Sequence, residues 1–309
     1  MAGSDGPAVA GGPARHVPVL ARPALELLNV RDGGIYIDGT FGAGGYSRAI
    51  LAAANAQVIG IDRDQNAVAS GAGLVQSANG RLTLVEERFS ALDRAAEKFG
   101  HAAVDGIVLD LGVSSMQLDD PARGFTFKTD SALDLRLNPT RAPSAADWLA
   151  RVSAATLASA LTENADEPHA ELLARELTAR QKNRPVTRTL QLAESIRTIL
   201  HQHKPHRDPA ADDDCVRRVF QAIRIAVNDE FGALEMFLRH LPSCLKAGGR
   251  AAILTFHSGE DRRVKQAFRE GMRTGIYSAT SDEVIRAGPE ERRANPRSSS
   301  AKLRWAVRA

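Results

Sequence analysis

From about Arg15 to Asp110, short apolar runs near residues 35–38, 58–62, 82–85 and 106–110 are separated by Ala-rich stretches such as Ser47–Ala54 and Asn66–Gln76. The runs have the length of strands and the stretches the apolar spacing of helices, so this part of the chain predicts a parallel sheet covered on both faces. From about Leu118 to Asp214 the strands stop. Helical spacing takes over at Ala145–Val152, Ala154–Thr162, Ala170–Lys182 and Thr189–His201. A helix is then expected over Val216–Lys246, a turn at Gly248-Gly249, a strand at Arg250–Phe256 and a last alternating strand at Ala301–Val307. The pattern predicts an α/β chain: a doubly wound domain from residues 16–117 and 215–309, interrupted by a helical insertion over 118–214 and preceded by a disordered tail at 1–15.

One junction in this pattern carries chemistry. The run Ile35-Tyr36-Ile37-Asp38 ends in an acid and enters a turn with glycines at 39, 42, 44 and 45. Glycines there permit positive φ and a close approach of main chain to a ligand. After the next strand, Asp62 stands where a carboxylate accepts both hydroxyls of a ribose. The two acids together imply an adenosine-containing cofactor. A dinucleotide is disfavoured, because Gly42-Ala43-Gly44 requires glycine at position 47 and Ser47 is there. Asp38 would also repel a diphosphate. S-adenosylmethionine has no phosphate and carries a positive sulfonium and ammonium, which suit that acid.

Parallel sheets bind ligands beyond the carboxyl ends of their strands, so Asp38, Asp62, Asp110 and His257 are expected on one rim. Asp110 opens the run Leu111-Gly112-Val113-Ser114-Ser115-Met116-Gln117, which leads into the insertion.

Composition narrows the classes. At 309 residues the chain exceeds what one core usually fills, and 43% hydrophobic with 25% charged residues is ordinary for a globular protein. The formal net charge is only +3, while the isoelectric point near 9.0 leaves room for a basic face and a nucleic-acid partner. Cys215 and Cys244 have neither metal nor redox spacing and read as buried fillers in a reducing compartment. No apolar run approaches the roughly 18 residues of a membrane span, and the first fifteen residues lack the features of a signal peptide, so a cytoplasmic location is expected. The histidines of His201–Asp214 lie among prolines and read as a solvated hinge; no metal site is expected.

The segments IYIDGTFGAGGYSRAIL at 35–51, GIDRD at 60–64, LDLGVSSMQLD at 109–119 and RGFTF at 123–127 resemble the family of ribosomal RNA cytosine-N(4) methyltransferases of the small subunit. HVPVL at 16–20, LDLR at 133–136, RPVTRT at 184–189, VFQAIRIAVNDE at 219–230, TFHSGEDRRVK at 255–265 and NPRSSSAKLR at 295–304 follow in the same order, so the resemblance covers nearly the whole chain from His16. It implies a Rossmann-like, S-adenosylmethionine-dependent enzyme that methylates the exocyclic amine of a cytidine in the decoding region of 16S ribosomal RNA.

By position, the resemblance sets Gly44, Gly45 and Tyr46 against the methionine part of the cofactor, Asp62 on the ribose and Phe89 by the adenine, with Asp110 and Gln117 nearby. Gly42 and Asp38 complete the expected cofactor turn. Phe89 reads equally well as core, and as a stacking ring it suits a purine. Asp110, or a carbonyl in the Leu111–Val113 turn, is the expected acceptor for the cytidine amine as positive charge develops there. Neither cysteine lies near these motifs, which argues against attack on a ring carbon. Expected RNA contacts are Arg123, Arg136, Arg184, Arg188, Arg224, Asn228, His257, Arg262, Arg263 and Arg297, with phosphate pairing the default for the arginines and a structural role favoured for His257.

The sequence departs from the family pattern at Asp130-Ser131-Ala132, at Glu163–Pro168, at Gly259, where a leucine is usual, and at Ser299, where an arginine is usual. These departures keep open a paralogue acting on another amine and a silent assembly factor that binds the subunit without turnover. Oligomeric state also stays open, a homodimer included.

Overall fold

The computed structural model describes residues 18–203 and 208–309. The tail expected at 1–15, the first two residues of HVPVL and residues 204–207 of the expected hinge lie outside the described residues. Seven strands form one sheet: β1 (Ile35–Asp38), β2 (Gln57–Asp62), β3 (Leu82–Glu86), β4 (Val104–Asp110), β5 (Leu245–Thr255), β6 (Tyr277–Thr280) and β7 (Lys302–Arg308). Their order is β3-β2-β1-β4-β5-β7-β6. The first five are parallel, and β7 runs antiparallel to both β5 and β6. The order reverses between β1 and β4, which places the ligand crevice of a doubly wound sheet at the ends of these two strands.

Alternate residues of each strand face opposite layers. Ile37, Ile59, Ile107, Leu109 and Ile253 pack with Leu92, Leu234, Phe237 and Phe268 of the helices on one face. Tyr36, Val58, Val108 and Leu254 pack with Leu28, Phe41, Tyr46 and Ile50 on the other. β4 is buried along nearly its whole length, as an interior parallel strand must be.

A third core is built from helices Ala145–Arg151, Ala154–Ala165, Ala170–Gln181, Thr189–His203 and Pro209–Asn228, joined by Leu133 and Leu135. Cys215, Val216, Val219, Phe220 and Ile223 belong to it. The boundary expected at 214/215 therefore falls inside a helix whose first part packs with the insertion. Its other end reaches the sheet domain.

Three local expectations need correction. The helix expected over 216–246 is two, broken where Asp229 takes a left-handed conformation (φ 50°, ψ 47°). The helix expected over 66–76 breaks at Gly71, where a Cβ would stand 2.4 Å from Leu84 Cδ1. β5 starts at Leu245 rather than Arg250, with an irregular register opposite Val104 and Gly106, and β6 was not expected at all.

Candidate functional site: a two-walled cavity at the sheet rim

A cavity of about 440 Å³ opens at the carboxyl ends of the central strands. That is within the range that holds a small ligand. One wall comes from the turn after β1, the end of β2 and the segment after β4. The facing wall comes from Gln221, Arg224, Glu230, Phe231, Phe256, His257 and Glu260.

On the first wall, Gly42 lines the cavity with φ +51°, and its N–H donates to Asp62 Oδ2 at 2.8 Å. Asp62 Oδ1 accepts from Asp64 N at 2.9 Å. Asp62 lines the cavity, and burial raises its carboxyl above the ordinary value. Phe89 lines the cavity and also packs edge-on against Phe237 (5.8 Å between centroids), so its two readings hold together. Tyr46 is buried at the wall with its hydroxyl donating to the Val19 carbonyl.

Asp38 does not line the cavity. Its side chain is fully buried: Oδ2 accepts from Ser47 N (3.0 Å) and Ser47 Oγ (2.7 Å), and Oδ1 from Thr40 N (3.3 Å). Asp38 thus staples the turn to the following helix instead of meeting a sulfonium, and burial pushes its carboxyl up to about 6. The Ser47 that broke the dinucleotide fingerprint is its partner. Gly44 is likewise set by packing, since a Cβ there would lie 2.9 Å from Leu74 and Phe41, while Gly45 lines the cavity beneath Pro18.

Asp110 ends β4 inside the cavity. Thr40 Oγ1 accepts from its backbone N–H at 2.7 Å, tying β4 to the glycine turn. Its Oδ1 is buried with no hydrogen-bond partner among the described residues. Burial, and then the charges of Asp38 and Glu260, push the carboxyl up to about 7. Gln117, also at the wall, accepts from Ser114 N with Oε1 and donates from Nε2 to Asp64 Oδ2.

The facing wall was only partly legible. Arg224 makes a two-pronged pair with Glu230 (2.8 and 2.9 Å). His257 caps the Ser258–Arg273 helix, and Glu260, at the third helical position, accepts from Phe256 N at 2.8 Å with Oε2 while its Oε1 lies 3.1 Å from His257 Nε2. Burial alone would raise Glu260, but His257, the Phe256 amide and Arg224 hold it below the usual carboxylate range. Asp110 and Glu260 are therefore driven in opposite directions within one cavity. Glu260 was readable as the reciprocal partner of a cap three residues earlier. Glu230, Phe231 and Phe256 carried no such local signal.

The expected RNA contacts divide. Arg224, His257 and Arg297 line the cavity, and Arg297 also pairs with Asp119 at 3.0 Å. Arg184 and Arg188 are exposed on the helical part, away from the cavity wall, with Arg188 on Asp130. Arg263 lies over the Phe231 ring at 3.6 Å and pairs with Glu235. Arg262 is held by Asp166 (3.0 and 3.1 Å), which also accepts from Ser258. The departures at 163–168 and around 259 thus lie close in space, and a Cβ at Gly259 would stand 2.6 Å from Phe231 Cζ, so a side chain there needs that ring to shift. Three expectations are corrected. Asn228 is 1% exposed and bonds Leu137 N, Leu135 O and Arg224 O. Arg123 is turned inward onto Asp64 and the carbonyls of Arg136 and Leu137, and Arg136 is spent on Asp134 and the Ala142 carbonyl. All three are joints inside the protein.

Among the described residues there is no group of three or more His, Cys, Asp or Glu placed to hold a metal, and no helix long and apolar enough to cross a membrane. The cavity does fit a cationic cofactor carrying a ribose: the acids Asp62 and Asp110 line it, Phe89 offers a ring, and no lysine or arginine of the first wall other than Arg63 lines it to meet a diphosphate.

The model of the MraW methylase family matches residues 13–309. A ribosomal RNA small subunit methyltransferase H from Xanthobacter autotrophicus is 44% identical over 98% of this chain and 90% of that protein. Another of the same name, from Nitrobacter hamburgensis, is 46% identical over 96% of this chain and 91% of its own length. Among solved structures, an rRNA methylase from Streptococcus thermophilus aligns with a TM-score of 0.39 and 10% identity over 93% of each chain. Matched along nearly its whole length, this chain belongs to the MraW methylase family and takes its methyl group from S-adenosylmethionine.

Proposed function

We propose that this protein methylates small-subunit ribosomal RNA, at the N(4) amine of a cytidine in the decoding region of 16S RNA. The observation that carries the reading is Asp110: a carboxyl that lines the cavity between its two walls, with one buried oxygen left without a hydrogen-bond partner among the described residues. The names of the relatives support the substrate class. The motif resemblance supports the amine.

When bound, S-adenosylmethionine supplies the methyl carbon and leaves as a neutral thioether. The chain must do the rest. A cytosine amine is a poor nucleophile because its lone pair is delocalised into the ring, so the cavity has to hold it in line and favour pyramidal nitrogen. Phe231 and Phe256 offer apolar surface to the base, and Glu230, paired with Arg224, and Glu260, held by the Phe256 amide and His257, define the polar edge. The Asp110 carboxylate, which lines the cavity, accepts a hydrogen bond from the amine as charge grows and takes the proton that the amine sheds. A carbonyl of the Leu111–Val113 turn is the alternative acceptor. The helical part, with Arg184 and Arg188 exposed, would grip the surrounding RNA by phosphate contacts.

The test is incubation with labelled S-adenosylmethionine and unmodified small subunits, followed by nucleoside mass spectrometry. N(4)-methylated cytidine is expected. Tight cofactor binding with no methyl on the RNA would reject this reading in favour of a silent assembly factor, and methyl on a different nucleoside would reject the amine assignment alone.

A further inference from the structure

Asp64 lies two residues beyond β2 and takes no part in the cavity wall, yet it is 3% exposed with both oxygens engaged. Oδ1 caps the Gln65–Ser70 helix by accepting from Asn66 N at 3.1 Å. Oδ2 accepts from Gln117 Nε2 and from Arg123 Nη1, each at 2.8 Å. One oxygen thus gathers two donors from a stretch of chain more than fifty residues away.

Each donor passes the constraint on. Gln117 accepts from Ser114 N at 3.0 Å and so fixes the turn that follows Asp110. Arg123 donates to the carbonyls of Arg136 and Leu137, both at 3.0 Å, and Leu137 N donates to Asn228 Oδ1 at 2.8 Å. Next door, the Arg63 carbonyl accepts from Asn138 Nδ2 at 2.8 Å, while Arg63 Nη1 donates to the Asn228 carbonyl. Asp62-Arg63-Asp64 therefore faces the cofactor through its first residue and braces the segment 111–138 through its third.

We infer that Asp64 is a positioning residue for methyl transfer, acting through Gln117 and Arg123 to hold the turn after Asp110 in register with the cofactor acid Asp62. The inference rests on the reading of Asp110 and its turn as the amine's acceptor. Its physical basis is the steep dependence of rate on alignment, where a displacement of about 1 Å costs roughly 100-fold. A carboxylate that merely stabilised the fold would alter melting and leave the committed complex as fast as before.

The experiment uses the full chain. Asp64→Asn leaves one acceptor oxygen and an NH2 donor where two oxygens now serve Asn66 N, Gln117 Nε2 and Arg123 Nη1. The double variant Asp64→Asn/Gln117→Glu lets the new side-chain amide donate to the new carboxylate, restoring a 64–117 hydrogen bond with donor and acceptor exchanged. Asp64→Asn is expected to lower the single-turnover rate on unmodified subunits by about 10- to 100-fold, with S-adenosylmethionine affinity by calorimetry within about threefold, and the double variant to recover a large part of the rate. In the unaltered protein, S-adenosylmethionine alone is expected to slow amide exchange over residues 122–125, which lie off the cavity wall and are reached through Arg123. An Asp64→Asn rate within about twofold of the parent, or no change in exchange at 122–125, overturns the inference, and the exchange arm holds even where the variant fails to fold. A parent chain inert on subunits would defeat the proposed function instead, so the two failures are distinguishable.

Discussion

On the wall carried by β1, β2 and β4, carboxylates are satisfied by main chain: Asp38 by Thr40 and Ser47, Asp62 by Gly42 and Asp64. On the facing wall and its surroundings arginines take over much of this role, with Glu230 on Arg224, Glu235 on Arg263 and Asp166 on Arg262, while Glu260 is held by the Phe256 amide and His257. Backbone donors are part of the chain that forms the wall, so these carboxylates and the turn hold one another in place. Ion pairs can exchange, and the more exposed of them offer guanidinium groups that a phosphate can win from a carboxylate. A small cofactor and the large, flexible RNA proposed as substrate call for these two solutions.

The sharpest way to break the comparison is at Asp110, the one acid on the first wall with an orphaned oxygen. Asp110→Asn is expected to lower the transfer rate by about 10²- to 10⁴-fold, the usual yield of a positioned base, while cofactor affinity holds; single-turnover kinetics with calorimetry checks both. Because its carboxyl sits at about 7, raised by burial and then by Asp38 and Glu260, and the acceptor must be ionised, kcat/KM should rise with pH through about 7. A bound cation favours the carboxylate and should move the limb in kcat to lower pH. Asp110→Asn should abolish both limbs.

Next comes the buried pair on the facing wall. Arg224→Met leaves Glu230 uncompensated and should cost about 3–5 kcal/mol, whereas Arg224→Met/Glu230→Met should regain most of it in urea titrations. A similar size of effect, read through pH, is expected at Asp38. Its folded value of about 6 lies above the ordinary 3.8, so its proton stabilises the fold below the ordinary value, and that stability is lost as pH rises through about 6. The shift corresponds to about 3 kcal/mol. Relative to the parent, Asp38→Asn should therefore gain in melting temperature between pH 4 and pH 8, and a constant difference would count against a buried carboxylate.

The smallest effect is expected at Asp166 and Arg262, both about half exposed. A double-mutant cycle should give a coupling below about 1 kcal/mol in stability, yet Arg262→Ala should reduce the slope of RNA affinity against log salt by about one phosphate contact. A strong stability coupling with no change in salt slope would mean that this pair is architecture rather than a replaceable contact.

The sheet, the helices of the insertion and the residues of the first wall were legible because strand-end acids and glycine turns are local signals. Asp38 shows the limit of such a signal. The acid was visible, but its direction was not, because Ser47 became its partner only once the turn had closed. Asn228, Arg123 and Arg136 misled in the same way: a polar residue in a basic motif looks like a surface contact until tertiary structure supplies carbonyls and carboxylates to absorb it. Glu230 and Phe231 reach the cavity because Asp229 breaks the expected long helix with a left-handed residue, a bend that propensity does not announce.

β7 follows β6 in sequence but lies between β5 and β6 in the sheet, so β6 has no hydrogen-bonded neighbour among the described strands until β7 arrives. During synthesis, β5 must therefore leave the ribosome with one edge bare, a state prone to pairing with other chains. Asn295, Arg297 and Ser300, which help to line the cavity, emerge just before β7. The last residues of the cavity wall and the strand that seals the open edge therefore leave the ribosome together, so completing the site and closing the sheet fall within the same short stretch of synthesis.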